Sequence, residues 1–216
     1  MLRLENVCYR YHKKKMDVLH DINYNFNKGL VYAIMGHSGS GKTTLLSLLA
    51  RLDNPTKGNI FYNDCDIKKI NLNVYRARYV SIIFQSYNLL YKYSALDNVL
   101  MALNVSRFCG DKINHASSIL DTINLAKEKH TRTVTNLSGG EQQRVATARA
   151  IASNADIILA DEPTGNLDSI NTRQVMDMLL GLKEKHQKCV IIVTHDERIA
   201  DQADVIINID DGKLNT

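Results

Sequence analysis

Short, nearly unbroken apolar runs recur along the chain, with helical-period stretches and polar turns between them. Val31, Ala33, Ile34 and Met35 make one run, Val80-Ser81-Ile82-Ile83-Phe84 a second, and Ile157-Ile158-Leu159-Ala160 a third. Val190-Ile191-Ile192-Val193 and Val205-Ile206-Ile207 follow. Runs this short and this apolar predict strands buried on both faces. Nearer the N-terminus the pattern changes. Leu2, Leu4 and Val7 alternate with polar residues and lead to Tyr9 and Tyr11. That alternation predicts an edge strand, with His12-Lys13-Lys14-Lys15 as a solvated turn. Ile22 to Phe26 and Asn59 to Tyr62 predict two further strands, set off by the turns Lys28-Gly29 and Asn54-Pro55-Thr56-Lys57-Gly58.

Helical spacing fills the gaps. Thr44 to Ala50 reads as the start of a helix and Val175 to Leu182 as another. From about Ser94 to Ala152 the chain is mostly helical by pattern, with Leu96, Val99, Leu100, Leu103, Ile119 and Ile123 spaced for one face. Apolar strands alternating with helices imply an α/β fold whose mainly parallel sheet is covered on both sides. Ligands then sit beyond the carboxyl ends of the strands. The polar motifs fall at those ends.

The first is Gly36-His37-Ser38-Gly39-Ser40-Gly41-Lys42-Thr43, between a strand and a helix. The glycines let the backbone bend and turn its N–H groups inward, and the positive end of the helix adds to their pull on phosphate. Lys42 supplies a point charge for outer phosphates, and Thr43 a hydroxyl for Mg2+. Asp161-Glu162 ends another strand. A carboxylate there holds a metal opposite Thr43, and its neighbour can polarise a water. Gln85 and His195 also follow strands; Gln85 could reach the metal's water shell, and His195 the terminal phosphate or the attacking water. Ser138-Gly139-Gly140-Glu141 opens a helix. It reads both as a capping box and as a second anion site. One nucleotide does not need two such sites from one chain, but two chains packed head to tail would use both.

Composition narrows the picture slightly. With 216 residues, 44% of them hydrophobic, the chain can bury one core or a core with a sub-lobe. The formal charge of +4, from 27 basic and 23 acidic residues, permits anionic partners without calling for them. Cys8, Cys65, Cys109 and Cys189 are scattered and read as mostly buried thiols in a reducing compartment. The start lacks an apolar signal segment, and no apolar run nears the ~20 residues of a bilayer span. These features predict a cytoplasmic chain.

Taken together, the motifs resemble the ATP-binding cassette (ABC) ATPase family over essentially the whole chain. The Walker A loop is GHSGSGKT at 36–43, the glutamine loop Gln85, the signature LSGGE at 137–141, and the Walker B end ILADE at 158–162. Asn166-Leu167-Asp168 matches the D-loop and His195 the switch histidine, and Tyr11 matches the aromatic that stacks on adenine. The resemblance implies a P-loop NTPase fold with an N-terminal antiparallel β region and a helical sub-lobe. Residues 1–85 and 153–216 would form the nucleotide-binding core and about 86–152 the helical lobe. It implies ATP and Mg2+ as cofactors. Nucleotide contacts would come from Tyr11, Gly36, His37, Ser38, Gly39, Ser40, Gly41, Lys42, Thr43 and Thr44. A second chain would add Ser138, Gly139, Gly140 and Asp168. The metal would take Thr43, Gln85 and Asp161; Glu162, His195, Gln85 and Lys42 would serve hydrolysis.

The segments ADEPTGNLD at 160–168 and LDNPTKG at 52–58 are similar to the subgroup serving lipoprotein release, macrolide efflux and bacitracin-type resistance. Thr133-Val134-Thr135-Asn136 lacks the proline often found before the signature, and Lys28-Gly29-Leu30 lacks an acid often found before the sheet strand. The resemblance implies an ATPase subunit that pairs with an identical or related chain and drives a separate membrane-spanning permease from the inner face of the membrane. A soluble ABC ATPase acting on nucleic acid or ribosomes is the alternative. The stretch between residues 43 and 137 is too short for the coiled coil of DNA-repair members, and there is one cassette rather than two, so no nucleic acid partner is expected.

Overall fold

The computed structural model describes residues 1–12 and 16–215; the lysine run Lys13-Lys14-Lys15 lies outside the described residues. Two sheets form the frame. The first holds β1 (Leu2–Tyr9), β2 (Leu19–Phe26), β4 (Lys57–Tyr62) and β5 (Cys65–Asp66), all antiparallel, in the order β2-β1-β4-β5. The second holds β3 (Val31–Met35), β6 (Val80–Ile83), β7 (Ile157–Asp161), β8 (Cys189–Val193), β9 (Val205–Asp210) and β10 (Lys213–Asn215), in the order β10-β9-β3-β8-β7-β6. Its strands are parallel except β10, which returns antiparallel to β9.

The long apolar runs behave as their composition requires. All five residues of β8 are buried, and so are the first four of β3 and of β7. β1 departs from expectation. It is not an edge strand: β2 pairs with one side and β4 with the other. Its inward residues Leu2, Leu4, Val7 and Tyr9 nonetheless keep one face toward the core. Alternation reveals which face is buried but not how many neighbours a strand has. β2 starts at Leu19, three residues earlier than its apolar pattern suggests.

The helices are α1 (Lys42–Leu49), the short α2 (Leu72–Val74), α3 (Ala95–Val105), α4 (Lys112–Thr122), α5 (Gly139–Ala152), α6 (Ser169–His186) and the short α7 (Glu197–Ala200). One hydrophobic cluster joins both sheets to α1, uniting Leu4, Phe26, Ile34, Leu45, Leu48 and Leu159. A separate cluster belongs to the helical lobe, with Val99, Leu103, Leu120, Ile123, Val134 and Val145 at its centre. The fully buried Asn98 of α3 pins the loop at Leu90: its Oδ1 accepts from the Leu90 N–H at 2.8 Å, and its Nδ2 donates to the Ser94 carbonyl at 2.9 Å. A third cluster, with Ile158, Val175, Leu179 and Ile192, seats α6 on the parallel sheet. Of the cysteines only Cys189 is buried; Cys65 and Cys109 are exposed, against expectation, because they lie in a turn-bound strand and a loop.

Candidate nucleotide site

β3 stands between β9 and β8, and the glycine loop leaves its carboxyl end. The loop is pressed against β9. A Cβ on Gly36, whose φ is +155°, would lie 2.2 Å from the Ile209 carbonyl oxygen. Any other residue there would push the loop off the sheet. Gly41 caps α1 in the left-handed region, which places the first helical N–H groups at the loop's mouth. The Lys42 side chain is buried and its ammonium donates to the carbonyls of Gly36 at 2.8 Å and His37 at 2.9 Å. The Lys42 ammonium and these backbone carbonyls thus close a ring at the turn.

A cleft of about 950 Å3 opens over this ring. Ser38, Gly39, Gly41, Lys42, Thr43 and Thr44 form its floor, and Gln85, Asp161, Glu162 and His195 form one wall. Tyr11 lies across the mouth. Its hydroxyl is 2.9 Å from Thr44 Oγ1, and its ring stands edge-on to Tyr9 with centroids 4.9 Å apart. Gly36, His37 and Ser40 belong to the loop but do not line the cleft. His37 instead faces outward, with Nε2 3.3 Å from an Asp210 carboxylate oxygen.

The carboxylates at the end of β7 have different surroundings. Thr43 Oγ1 donates to Asp161 Oδ1 at 3.3 Å. Burial raises the pKa of Asp161 above the ordinary carboxylate range; the Thr43 hydroxyl opposes that shift and the neighbouring Glu162 charge adds to it. The Thr43 hydroxyl, the Asp161 carboxylate and the Gln85 carboxamide line the same cleft, and these oxygen donors fit a hard divalent cation such as Mg2+. Glu162 sits at φ +48°, held there by its N–H, which donates to the Val193 carbonyl at 2.9 Å. Such a conformation is unfavourable for a non-glycine residue and marks a side chain whose direction is imposed by its surroundings. That direction brings its carboxylate to His195, whose Nδ1 lies 2.7 Å from Oε2 and 2.8 Å from Oε1.

Ser138, Gly139, Gly140 and Asp168 are not in the cleft. They gather at a second place. Ser138 caps α5 and forms the reciprocal capping box with Glu141, while Asp168 caps α6 and accepts from Asn171 N at 2.8 Å. The two helix starts are locked together: a Cβ on Gly140 would lie 2.4 Å from Asn171 Cγ, and Arg144 bonds to Asn171 Oδ1. A single chain therefore carries the glycine loop and the Ser138–Gly140 helix start in two separate places.

Several neighbours were not foreseen. Asp17, Val18 and His20 line the cleft from the segment entering β2, and Asp211 and Gly212 from the β9–β10 turn. A Cβ on Gly212 would meet the Val18 carbonyl oxygen at 2.2 Å. The Asp-Asp-Gly run at 210–212 was a readable turn signal, but its contact with Val18 joins segments far apart in sequence. Asn171 and Arg144 carried no signal of their own.

A family model described as ABC transporter matches residues 19–165. An uncharacterized ABC transporter ATP-binding protein, YclH of Bacillus subtilis (strain 168), is 42% identical over 215 residues, covering 99% of this chain and 95% of that protein. The lipoprotein-releasing system ATP-binding protein LolD of Rickettsia bellii (strain RML369-C) is 40% identical over 219 residues, covering 100% and 97%. Among solved structures, the dimeric post-hydrolysis state of the ATP-binding cassette MJ0796, bound to ADP and Pi, superposes with a TM-score of 0.91 at 34% identity, covering 100% of this chain and 97% of that one. With its glycine loop, adjacent carboxylates and the contact of His195 with Glu162 set in this fold, the chain belongs to the ABC transporter family as an ATP-binding and ATP-hydrolysing subunit that uses ATP and Mg2+.

Proposed function

We propose that two copies of this chain, or one copy and a close relative, close head to tail around two ATP molecules and drive a membrane-spanning permease from the inner face of the membrane. The observation that carries this reading is the separation of the two anion-attracting faces within one chain. The cleft holds Lys42, Thr43 and Glu162, whereas Ser138 and Gly140 lie outside it. A second chain supplies the missing face. The dimeric state of the cassette MJ0796 and the lipoprotein-releasing role in the name of LolD support the reading. Among the described residues, no helix is long and apolar enough to cross a membrane. The cargo class favoured by LolD is a lipoprotein or comparably amphiphilic molecule extracted or exported by that permease.

In the closed pair, Lys42 turns its ammonium from the Gly36 and His37 carbonyls toward the outer phosphate oxygens. Thr43, Asp161 and Gln85 would hold Mg2+, which would supply positive charge to offset that of the phosphates. Glu162 accepts a proton from water as the water oxygen bonds to the terminal phosphorus and the bond to the bridging oxygen breaks. His195 orients the Glu162 carboxylate through the contact already present, 2.7 Å from Nδ1 to Oε2. Tyr11 offers its ring to the base, a contact worth roughly 1–3 kcal/mol where bases stack on aromatic side chains.

Sedimentation of the Glu162→Gln variant tests the pairing. With ATP and Mg2+ it sediments as a dimer and with ADP as a monomer. A monomer under both conditions would remove the basis of this reading.

A further inference from the structure

A second cavity of about 670 Å3, sharing no lining residue with the cleft, lies between α4, the end of α5 and α6. Phe108, Ile119, Met178 and Leu182 give it an apolar body. The Phe108 and His115 rings stack parallel at its lobe side, with centroids 4.4 Å apart. Its lining carries Lys188, His115 and His186 with one carboxylate, Asp177, and a second carboxylate, Asp156, lies 3.9 Å from the Lys188 ammonium outside the lining. Lys188 is nine-tenths buried, and its ammonium donates to the Asn154 carbonyl at 2.9 Å. Gln174 Oε1 is buried without a hydrogen-bond partner. A buried acceptor left unpaired is costly and finds its donor in a ligand or water.

Gly181 gives these features a common reason. It lies inside α6, where glycine is less favourable than alanine by about 1 kcal/mol. Neither backbone nor packing calls for it: it has no left-handed φ, and a Cβ there would meet no heavy atom within 4 Å. What the missing side chain leaves is room in the cavity. A 670 Å3 space with an apolar body and a few converging polar groups has the make-up of a small-molecule site.

We propose that this cavity binds a small, flat aromatic anion carrying an N–H or O–H donor, and that Gly181 keeps it open. The rings of such a ligand lie against Phe108, Ile119 and Met178. Its anionic group faces Lys188 and His186, and its donor reaches Gln174 Oε1. The ligand would tie α4 of the helical lobe to α6 of the core. The site is independent of the nucleotide cleft, so its occupancy can be read without ATP turnover.

The test uses 1-anilinonaphthalene-8-sulfonate, which combines a fused ring, an anion and an N–H, titrated by fluorescence into the folded full chain. Saturable one-site binding that survives excess ADP and Mg2+ is expected. Gly181→Leu, which fills the space, should weaken the probe by about tenfold or more, with ATP turnover unchanged. Gly181→Ala, which fills less of it and favours the helix, should give a smaller loss. His186→Asn should weaken the sulfonate probe more than the neutral N-phenyl-1-naphthylamine. Probe binding that ADP displaces, or that neither Gly181 variant weakens, overturns the site. Equal weakening of the charged and neutral probes overturns its preference for anions.

Discussion

At the residue scale, the site is a set of side chains with opposed requirements. Burial raises the pKa of Asp161, and the neighbouring Glu162 charge adds to the shift. A raised carboxyl pKa means that folding favours the protonated form, so ionisation at neutral pH works against the fold. Asp161→Asn should therefore melt no lower than the parent at pH 7 in EDTA, while Mg2+-dependent hydrolysis is lost. Glu162→Gln should cut phosphate release by about 10²–10⁴-fold, the range for a lost acid–base group. Glu141 shows the reverse sign. Burial pushes its pKa up, but the Lys129 ammonium at 2.6 Å and the bonds to Ser138 outweigh it, and the net shift is downward. Its stabilisation is present above the ordinary value of 4.5 and fades as pH falls through the lower folded value. Thermal melts from roughly pH 5 to 3 should fall more steeply for the parent than for Glu141→Gln, which keeps a capping side chain but has no charge to lose.

At the element scale, α5 connects the two faces. Its first turn carries Ser138 and Gly140. Its middle carries Gln143, whose Nε2 donates to the Pro163 carbonyl at 2.7 Å, directly after Glu162. Its last turn carries Arg149, which donates to the carbonyls of Asn88 at 2.6 Å and Tyr87 at 3.1 Å. One rigid helix thus touches the signature, the residue following the proposed base and the loop beyond Gln85. Tyr87 and Asn88 both hold positive φ, at 61° and 48°, and Arg149 braces them there. Arg149→Ala should lower stability by roughly 1.5–3 kcal/mol, the scale of hydrogen bonds to a charged group. It should also make the 86–93 segment more sensitive to limited proteolysis. The Ser138 capping box and the glycine loop were legible in the sequence because their logic is local, a few residues at fixed spacing. The reach of Arg149 and Gln143 was not, because each pairs with a backbone carbonyl that has no sequence identity. The interior position of β1 was hidden for a related reason: alternation reports the face that is buried, not the strand's neighbours.

At the scale of the whole molecule, the parallel sheet holds the cleft and the helical lobe holds the signature, each with its own hydrophobic cluster. Ser138 and Gly140 do not line the cleft of their own chain, and the proposed closure of a pair rests on that separation. ATP binding then favours the closed state because only that state offers both faces, and hydrolysis removes the bias. The most direct measurement uses mixed dimers in the Glu162→Gln background. One chain also carries Lys42→Ala and its partner also carries Ser138→Arg. The account predicts one occluded ATP per mixed dimer, held by the unaltered Lys42 of one chain and the unaltered Ser138 of the other, and none in either homodimer. Mixed dimers that occlude no ATP, or Ser138→Arg homodimers that occlude two, would contradict it.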